Sequence, residues 1–284
     1  MARSEITIDL GALRRNVGTL ARAAGGSALW AVVKANAYGH GAVDCAGAAL
    51  EAGASALCVA TVAEALELRR SFPEARILVM GPAHDVRAAV EGGLELVVSS
   101  GEIPTGVPVH VKLDTGMGRW GLDRLLELPP NVVGLMTHLA TADTDAAFAR
   151  EQVARFAQAT AGRADLVRHV ANSAATLSLP ESRFDAVRCG IAVYGLSPFG
   201  RDPREHGLEP VLSWRSELAQ VKRLARGEST GYGRRFVAGG EAWIGIVPVG
   251  YADGFRRDMT DTRVVVDGER CAVVGADLIP VASS

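Results

Sequence analysis

Ala31-Val32-Val33-Lys34-Ala35-Asn36-Ala37-Tyr38-Gly39-His40-Gly41 sets a lysine at the end of a short apolar run, just before a small, polar turn that contains two glycines. The apolar residues Leu29 to Val33 read as a buried strand, the glycines as punctuation, and Ala42 to Leu50 as the helix that follows. Lys34 therefore stands at the C-terminal end of a strand. That is the face on which βα folds build active sites, and a desolvated amine there can form a Schiff base with a carbonyl compound. Position alone equally permits a surface lysine whose stem lies along the strand end.

Outward from this unit, apolar runs recur at the spacing of βα units. Strands are expected near residues 29–34, 56–61, 76–81, 94–100, 107–113, 132–139, 166–171 and 186–189, with helix-period segments at 63–70, 85–92 and 145–161. Eight strands with intervening helices predict an α/β fold, a (β/α)8 TIM-type barrel over residues 1–210, rather than an open doubly wound sheet. Two connections are thin: Gly-Glu-Ile-Pro-Thr-Gly between Ser100 and Val107, and the short segment 122–128. Parallel strands normally need a crossover of about a dozen residues, so the outer ring of helices is expected to be incomplete there. Residues 211–284 carry shorter, alternating runs at 214–224, 242–249 and 264–266, with Asp267-Gly268 as the strongest hairpin signal, and read as a small β domain.

The chain has 284 residues, 48% of them hydrophobic, and a formal charge of −2. It can bury a large core and shows no bias toward nucleic acid or anionic membrane. The start, MARSEITIDL, has no apolar signal core, and no apolar run approaches the ~18 residues of a spanning helix, so a cytoplasmic protein is expected. Cys45, Cys58, Cys189 and Cys271 lack CxxC spacing, so neither a disulfide framework nor a metal site is expected.

Polar residues gather at the other strand ends. Lys112-Leu113-Asp114-Thr115-Gly116-Met117-Gly118-Arg119 follows the fifth strand, and Thr137-His138-Leu139-Ala140-Thr141-Ala142-Asp143 closes the sixth. His169-Val170-Ala171-Asn172-Ser173-Ala174-Ala175 closes the seventh, and Arg188-Cys189-Gly190-Ile191-Ala192-Val193-Tyr194-Gly195 covers the eighth. All are expected on one rim.

Together with Val249-Gly250-Tyr251-Ala252-Asp253-Gly254, these segments closely resemble the alanine racemases, pyridoxal-phosphate enzymes of the fold-type III barrel class, from about Glu5 to Gly275. The resemblance implies pyridoxal 5′-phosphate as cofactor and interconversion of L- and D-alanine by two-base α-proton transfer, supplying D-alanine for the peptidoglycan of the cell wall. It also implies a homodimer. Lys34, one of only three lysines with Lys112 and Lys222, resembles the lysine that carries the cofactor. Tyr38, Asn172, Ser173 and the backbone at Gly190 and Ile191 resemble the cofactor-binding set around the phosphate, where a glycine lets backbone N–H groups approach an anion. Arg188 resembles the residue facing the pyridine nitrogen, with His169 orienting it and His138 beside the ring. A guanidinium cannot accept a proton, so the ring would stay unprotonated and a weaker electron sink. Arg119 resembles the group that binds the substrate carboxylate, and Lys112 the lysine that is carbamylated to hold it. Tyr251 resembles the second base, supplied by the partner subunit opposite Lys34. Each residue also has a plainer reading: Tyr38 and Tyr251 as structural aromatics, Arg188 in an ion pair, the histidines as hydrogen-bonded structural groups, and Lys112 as an unmodified lysine.

Departures come late in the chain. After Val273-Val274-Gly275 the family continues through a segment ending in Met-Asp, whereas here Gly275-Ala276-Asp277-Leu278-Ile279-Pro280-Val281 follows, with Asp277 as the nearest match to the aspartate. The family's late phosphate-binding tyrosine has no counterpart, since Tyr251 is the last tyrosine. A truncated β domain, poorer in core and interface surface, and a weak dimer are therefore expected. A racemase of another small amino acid, or a cofactor-binding protein without racemase activity, remains as an alternative reading.

Overall fold

The structure, a computed structural model, describes residues 3–125, 127–259, 262–275 and 277–281. After a first strand, β1 (Ser4–Ile8), eight parallel strands close into a barrel in chain order. They are β2 (Ala28–Val32), β3 (Ala56–Val59), β4 (Ile77–Val79), β5 (Glu95–Val98), β6 (Val109–Lys112), β7 (Val132–Met136), β8 (Val167–His169) and β9 (Ala186–Cys189). The ring closes between β2 and β9, with Ala31 in register with Cys189. All eight expected strands are present, each within the run that announced it except β2, which starts one residue earlier at Ala28.

The period-two side-chain alternation of a strand divides the apolar residues into two sets. Trp30, Val32, Ala56, Cys58, Leu78, Val97, Met136 and Ala186 form one buried cluster that fills the barrel. Their strand neighbours Ala31, Leu57, Ile77, Val79, Leu96, Leu135 and Val187 belong to a second cluster shared with the helices. Both faces are buried, which is why these strands read as continuous apolar runs.

Helix Leu10–Ala24 starts where the Asp9 carboxylate accepts the Ala12 amide and stops at Gly25, whose φ of +65° is a left-handed conformation suited to glycine. It buries Leu13, Val17 and Leu20 at helical spacing, each worth about 1.5–3 kcal/mol of transfer free energy. Helices Ala42–Glu51, Val62–Ser71, Val86–Glu91, Ala146–Ala159 and Ser173–Ser178 cover further connections. Among the described residues no helix lies between β5 and β6 or between β6 and β7, as the two thin connections predict. In place of a helix, the Asn131 side-chain amide ties down the first of these loops by donating to the Pro104 and Val107 carbonyls at 2.7 and 2.8 Å.

The chain divides into two compact units, Ile8–Leu212 and a second built from the residues beyond Leu212 together with the residues before Ile8. The sequence reading assigned the first residues to the barrel, but β1 pairs with β10 (Leu212–Ser216) instead. A closed barrel has no free edge to offer an extra strand, whereas β10 does. The second unit continues with β11 (Gln220–Leu224), β12 (Ser229–Thr230), β13 (Phe236–Val237), β14 (Ala242–Ile246), β15 (Arg263–Val266), β16 (Glu269–Ala272) and β17 (Leu278–Val281). Strands β11, β14 and β17 form an antiparallel sheet. Leu224, Ala238, Ile244 and Leu278 are buried together in this unit, so it does possess a core of its own. Asp267 and Gly268, with φ of +48° and +87°, make the mirror-image turn that joins β15 to β16. Among the described residues no helix is long and apolar enough to cross a membrane.

Candidate active site

The alternation that packs the barrel interior also delivers the site to its rim. Lys34 lies two residues beyond Val32, and Arg188 two beyond Ala186, so both continue interior-facing rows. There a cavity of about 390 Å³ is lined by Lys34, Tyr38, His138, Asn172, Ser173, Arg188, Gly190 and Ile191. Eight of the residues singled out in the sequence are thus brought to one hollow.

Lys34 opens a left-handed turn. Ala35, Asn36, Ala37 and Tyr38 have φ between +51° and +55°, a conformation that costs an L-residue about 1–2 kcal/mol. Specific bonds hold it: Ala35 N–H donates to Glu64 Oε1 at 2.8 Å, and Asn36 Oδ1 accepts the Ala42 amide at 2.7 Å. Asn36 also accepts the Gly39 and Gly41 amides on its carbonyl, at 3.0 and 3.1 Å. Gly39 and Gly41 announce a turn in the sequence, but not its hand.

Across the cavity, Ser173 Oγ accepts the amides of Gly190 and Ala192 at 3.0 and 3.4 Å. Its own hydrogen remains to be donated. The Ile191 amide has no acceptor among the described residues. Gly190 is needed because a Cβ there would stand 2.6 Å from the Tyr38 hydroxyl. Asn172 caps helix Ser173–Ser178, its Oδ1 accepting the Ala175 amide at 3.0 Å. Hydroxyls and unspent N–H groups converging in this way make an anion cup.

Arg188 is buried, and carbonyls take its terminal nitrogens: His169 O at 2.7 Å, Thr137 O at 2.8 Å and Val170 O at 3.1 Å. Nη1 also donates to His169 Nδ1 at 2.7 Å. Among the described residues the Arg188 Nε–H has no acceptor. Burial lowers the guanidinium to about 10, which leaves it charged at neutral pH. Burial, then the cations Arg188, Lys112, Arg119 and Lys34, push the His138 imidazole down to about 3, so it is neutral.

The profile of the alanine racemase N-terminal domain matches residues 8–198, and that of its C-terminal domain residues 211–276. The chain belongs to the alanine racemase family. It is 41% identical to the alanine racemase of Streptomyces coelicolor over 96% of this chain and 80% of that one, and 38% identical to that of Lactiplantibacillus plantarum over 96% and 81%. The solved alanine racemase of Streptomyces coelicolor superposes with a TM-score of 0.88 at 37% identity, covering 99% of this chain and 85% of that one. That of Bacillus anthracis, solved with bound L-Ala-P, superposes with a TM-score of 0.82 at 32% identity, covering 100% and 83%.

The remaining residues carried over from the racemases lie outside the cavity's lining. Lys112 is buried at the end of β6 and Arg119 is exposed on the loop beyond it, with their cationic groups 5.9 and 5.4 Å from the Trp120 ring centre. Burial first, then repulsion from Arg119 and Arg188, brings the Lys112 ammonium down to about 8. Tyr251 belongs to the β unit, half exposed in a 3-10 turn whose Asp253 carboxylate accepts the Gly250 amide at 2.9 Å and pairs with Arg3. Four functional side chains escaped the sequence reading: Glu64, which holds the lysine turn, and Arg76, Glu95 and His110 inside the barrel. Parity was the available signal for the last three, since each stands two residues before an interior position: Leu78, Val97 and Lys112.

Proposed function

We propose that this chain interconverts L- and D-alanine on pyridoxal 5′-phosphate, and the observation that carries the assignment of residues is the single cavity joining an amine, an anion cup and a buried guanidinium. The donor set fits the cofactor. Lys34 would hold its aldehyde carbon; Tyr38, Ser173 and the Gly190 and Ile191 amides its phosphate; and the Arg188 Nε–H its ring nitrogen. Asn172 shapes the cup by capping the helix that carries Ser173, and His138 would lie beside the ring as a neutral group. When bound, the cofactor supplies a conjugated ring that draws electrons from a substrate's α-carbon and makes the α-proton removable.

Inverting that carbon requires a base on each face. The Lys34 amine takes or returns the proton on one face, and the Tyr251 phenol does so on the other. Arg188 has only donors, so it takes no proton from the ring. The pull on the α-carbon stays moderate, which favours returning the proton there over transamination or decarboxylation. Arg119 binds the substrate carboxylate, and the Lys112 amine, neutral in part near pH 8, adds to dissolved CO₂ and releases a proton to water, giving the carbamate that braces it. The catalytic unit is a cytoplasmic homodimer in which Tyr251 reaches the partner's Lys34. Its product feeds cell-wall synthesis, as in the rest of the family.

Two measurements test this reading. L-Alanine in heavy water should racemise with α-deuterium uptake, and borohydride should fix the cofactor on Lys34, not on Lys112 or Lys222. Lys34→Ala and Tyr251→Phe should each be inactive alone. Mixed and re-associated, half the dimers are hybrids with one intact site of two, so about a quarter of parental activity should return if the two residues act across the interface. No recovery on verified subunit exchange would refute the cross-subunit role of Tyr251.

A further inference from the structure

A row of five side chains runs through the barrel interior. Arg188 Nη1 donates to His169 Nδ1 at 2.7 Å, His169 Nε2 meets His110 Nδ1 at 2.8 Å, and His110 Nε2 meets Glu95 Oε2 at 2.9 Å. Arg76 Nε donates to Glu95 Oε1 at 2.8 Å and ends the row. Arg76 and Glu95 stand at the N-terminal ends of β4 and β5, and Arg188 toward the C-terminal end of β9, so the row crosses from the barrel floor to the cavity.

Its two ends dictate the placement of every hydrogen between them. A guanidinium has only donors, so His169 Nδ1 is bare and that ring's hydrogen sits on Nε2. His110 Nδ1 must accept it, which leaves the His110 hydrogen on Nε2, aimed at a carboxylate that only accepts. Burial holds both imidazoles below their usual range, hence neutral. Burial pushes the Glu95 carboxyl up, but the hydrogen bonds from His110 and Arg76 bring it net below its usual range, hence ionised.

The surroundings leave the rings little freedom. Trp30 packs against His169 at 4.6 Å and His110 at 5.8 Å between ring centres, with the Arg76 guanidinium 4.7 Å from the Trp30 ring centre. On β7, Gly134 pairs with His110, and a Cβ there would fall 2.0 Å from His110 Nδ1. The missing side chain is the passage through which the row runs.

We propose that Glu95 and His110 are positioning residues for Arg188: the carboxylate on the barrel floor fixes both imidazole tautomers, so that a lone pair faces Arg188 Nη1 and the guanidinium keeps its Nε toward the cavity. Without Glu95 the His110 ring can exchange its hydrogen to Nδ1, His169 then turns an N–H toward Arg188, and two donors oppose each other in a dry site. The catalytic half of this inference rests on the assignment of Arg188 to the cofactor's ring nitrogen; the tautomer half does not.

The test is ¹⁵N NMR of the histidine-labelled holoenzyme, in the parent, Glu95→Ala and Glu95→Gln, together with kcat, KM and the fraction of turnovers lost to transamination. The parent should show bare Nδ1 and protonated Nε2 on both rings. In Glu95→Ala that pattern should be lost at His169, kcat should fall about 10- to 100-fold with little change in KM, and transamination should rise about as much. In Glu95→Gln the single amide oxygen goes to Arg76, which can only donate, and the NH2 faces His110 Nε2, so tautomers and kinetics should shift as in Glu95→Ala. Unchanged tautomers in Glu95→Ala, or a glutamine variant that keeps the parental ones, would overturn the proposal. Shifted tautomers with untouched kinetics would instead overturn the placement of Arg188 at the ring nitrogen. If Glu95→Ala does not fold, Gly134→Ala displaces the His110 ring and is read in the same way.

Discussion

Replacing Gly190 by alanine isolates the contribution of Tyr38 to the anion cup. The added Cβ would lie 2.6 Å from the Tyr38 hydroxyl and 3.3 Å from the ring carbon bearing it, where ordinary contacts are 3.4–4 Å, so the phenol must retreat. It can do so, because Tyr38 is 41% exposed. The Gly190 amide itself is retained, and with it the bond to Ser173 Oγ. What is lost is one hydrogen bond to a charged group, about 1.5–3 kcal/mol, which corresponds to cofactor binding about 10- to 150-fold weaker. Titration of the apoprotein with pyridoxal 5′-phosphate, followed by absorbance, measures it, and urea melts of the apoprotein should move by less than ~1 kcal/mol. Tyr38→Phe should produce the same loss, and the double variant no more than about a twofold further change, because both substitutions remove one interaction. Additive losses, or parental affinity in Gly190→Ala, would refute the reasoning.

Two other perturbations follow from burial. Lys112 titrates near 8 in the fold against 10.5 ordinarily; between those values the unfolded chain binds a proton that the fold does not, so stability should rise with pH there. Urea midpoints of the apoprotein in CO₂-free buffer should show that rise, and Lys112→Met should lack it. Leu13 is fully buried in the interface between helix Leu10–Ala24 and the barrel, and Leu13→Ala should cost about 2–5 kcal/mol of unfolding free energy in the same melts.

How far the sequence can be read depends on which force writes each feature. The eight barrel strands were legible because burial on both faces leaves long apolar runs, and the two missing helices because the segments 101–106 and 122–128 are too short to hold the usual helical crossover. The rim residues were legible from their place at strand ends, except Arg119, whose exposed loop carries no periodicity to position it. Pairing of β1 was not legible: a strand names its face by alternation but not its neighbour. The hand of the turn at Ala35–Tyr38 was hidden too, because alanines and asparagine give no signal for positive φ. Arg76, Glu95 and His110 were hidden because polar groups satisfied by one another inside a barrel leave no hydrophobic mark, only parity.

Glu64 links the lysine turn to the order in which the site can assemble. Its carboxylate comes from the helix after β3, and besides Ala35 it accepts the Ala60 amide at 2.8 Å and the Thr61 amide at 3.2 Å. A run of left-handed residues costs free energy at each step, which the Glu64 bond to Ala35 offsets together with the local bonds at Asn36. Lys34 is therefore displayed only after a later βα unit has docked beside it. A chain that has emitted the lysine but not that helix lacks the Glu64 bond to the lysine turn. If Lys34 carries the cofactor as proposed, capture there requires this edge of the barrel to have closed.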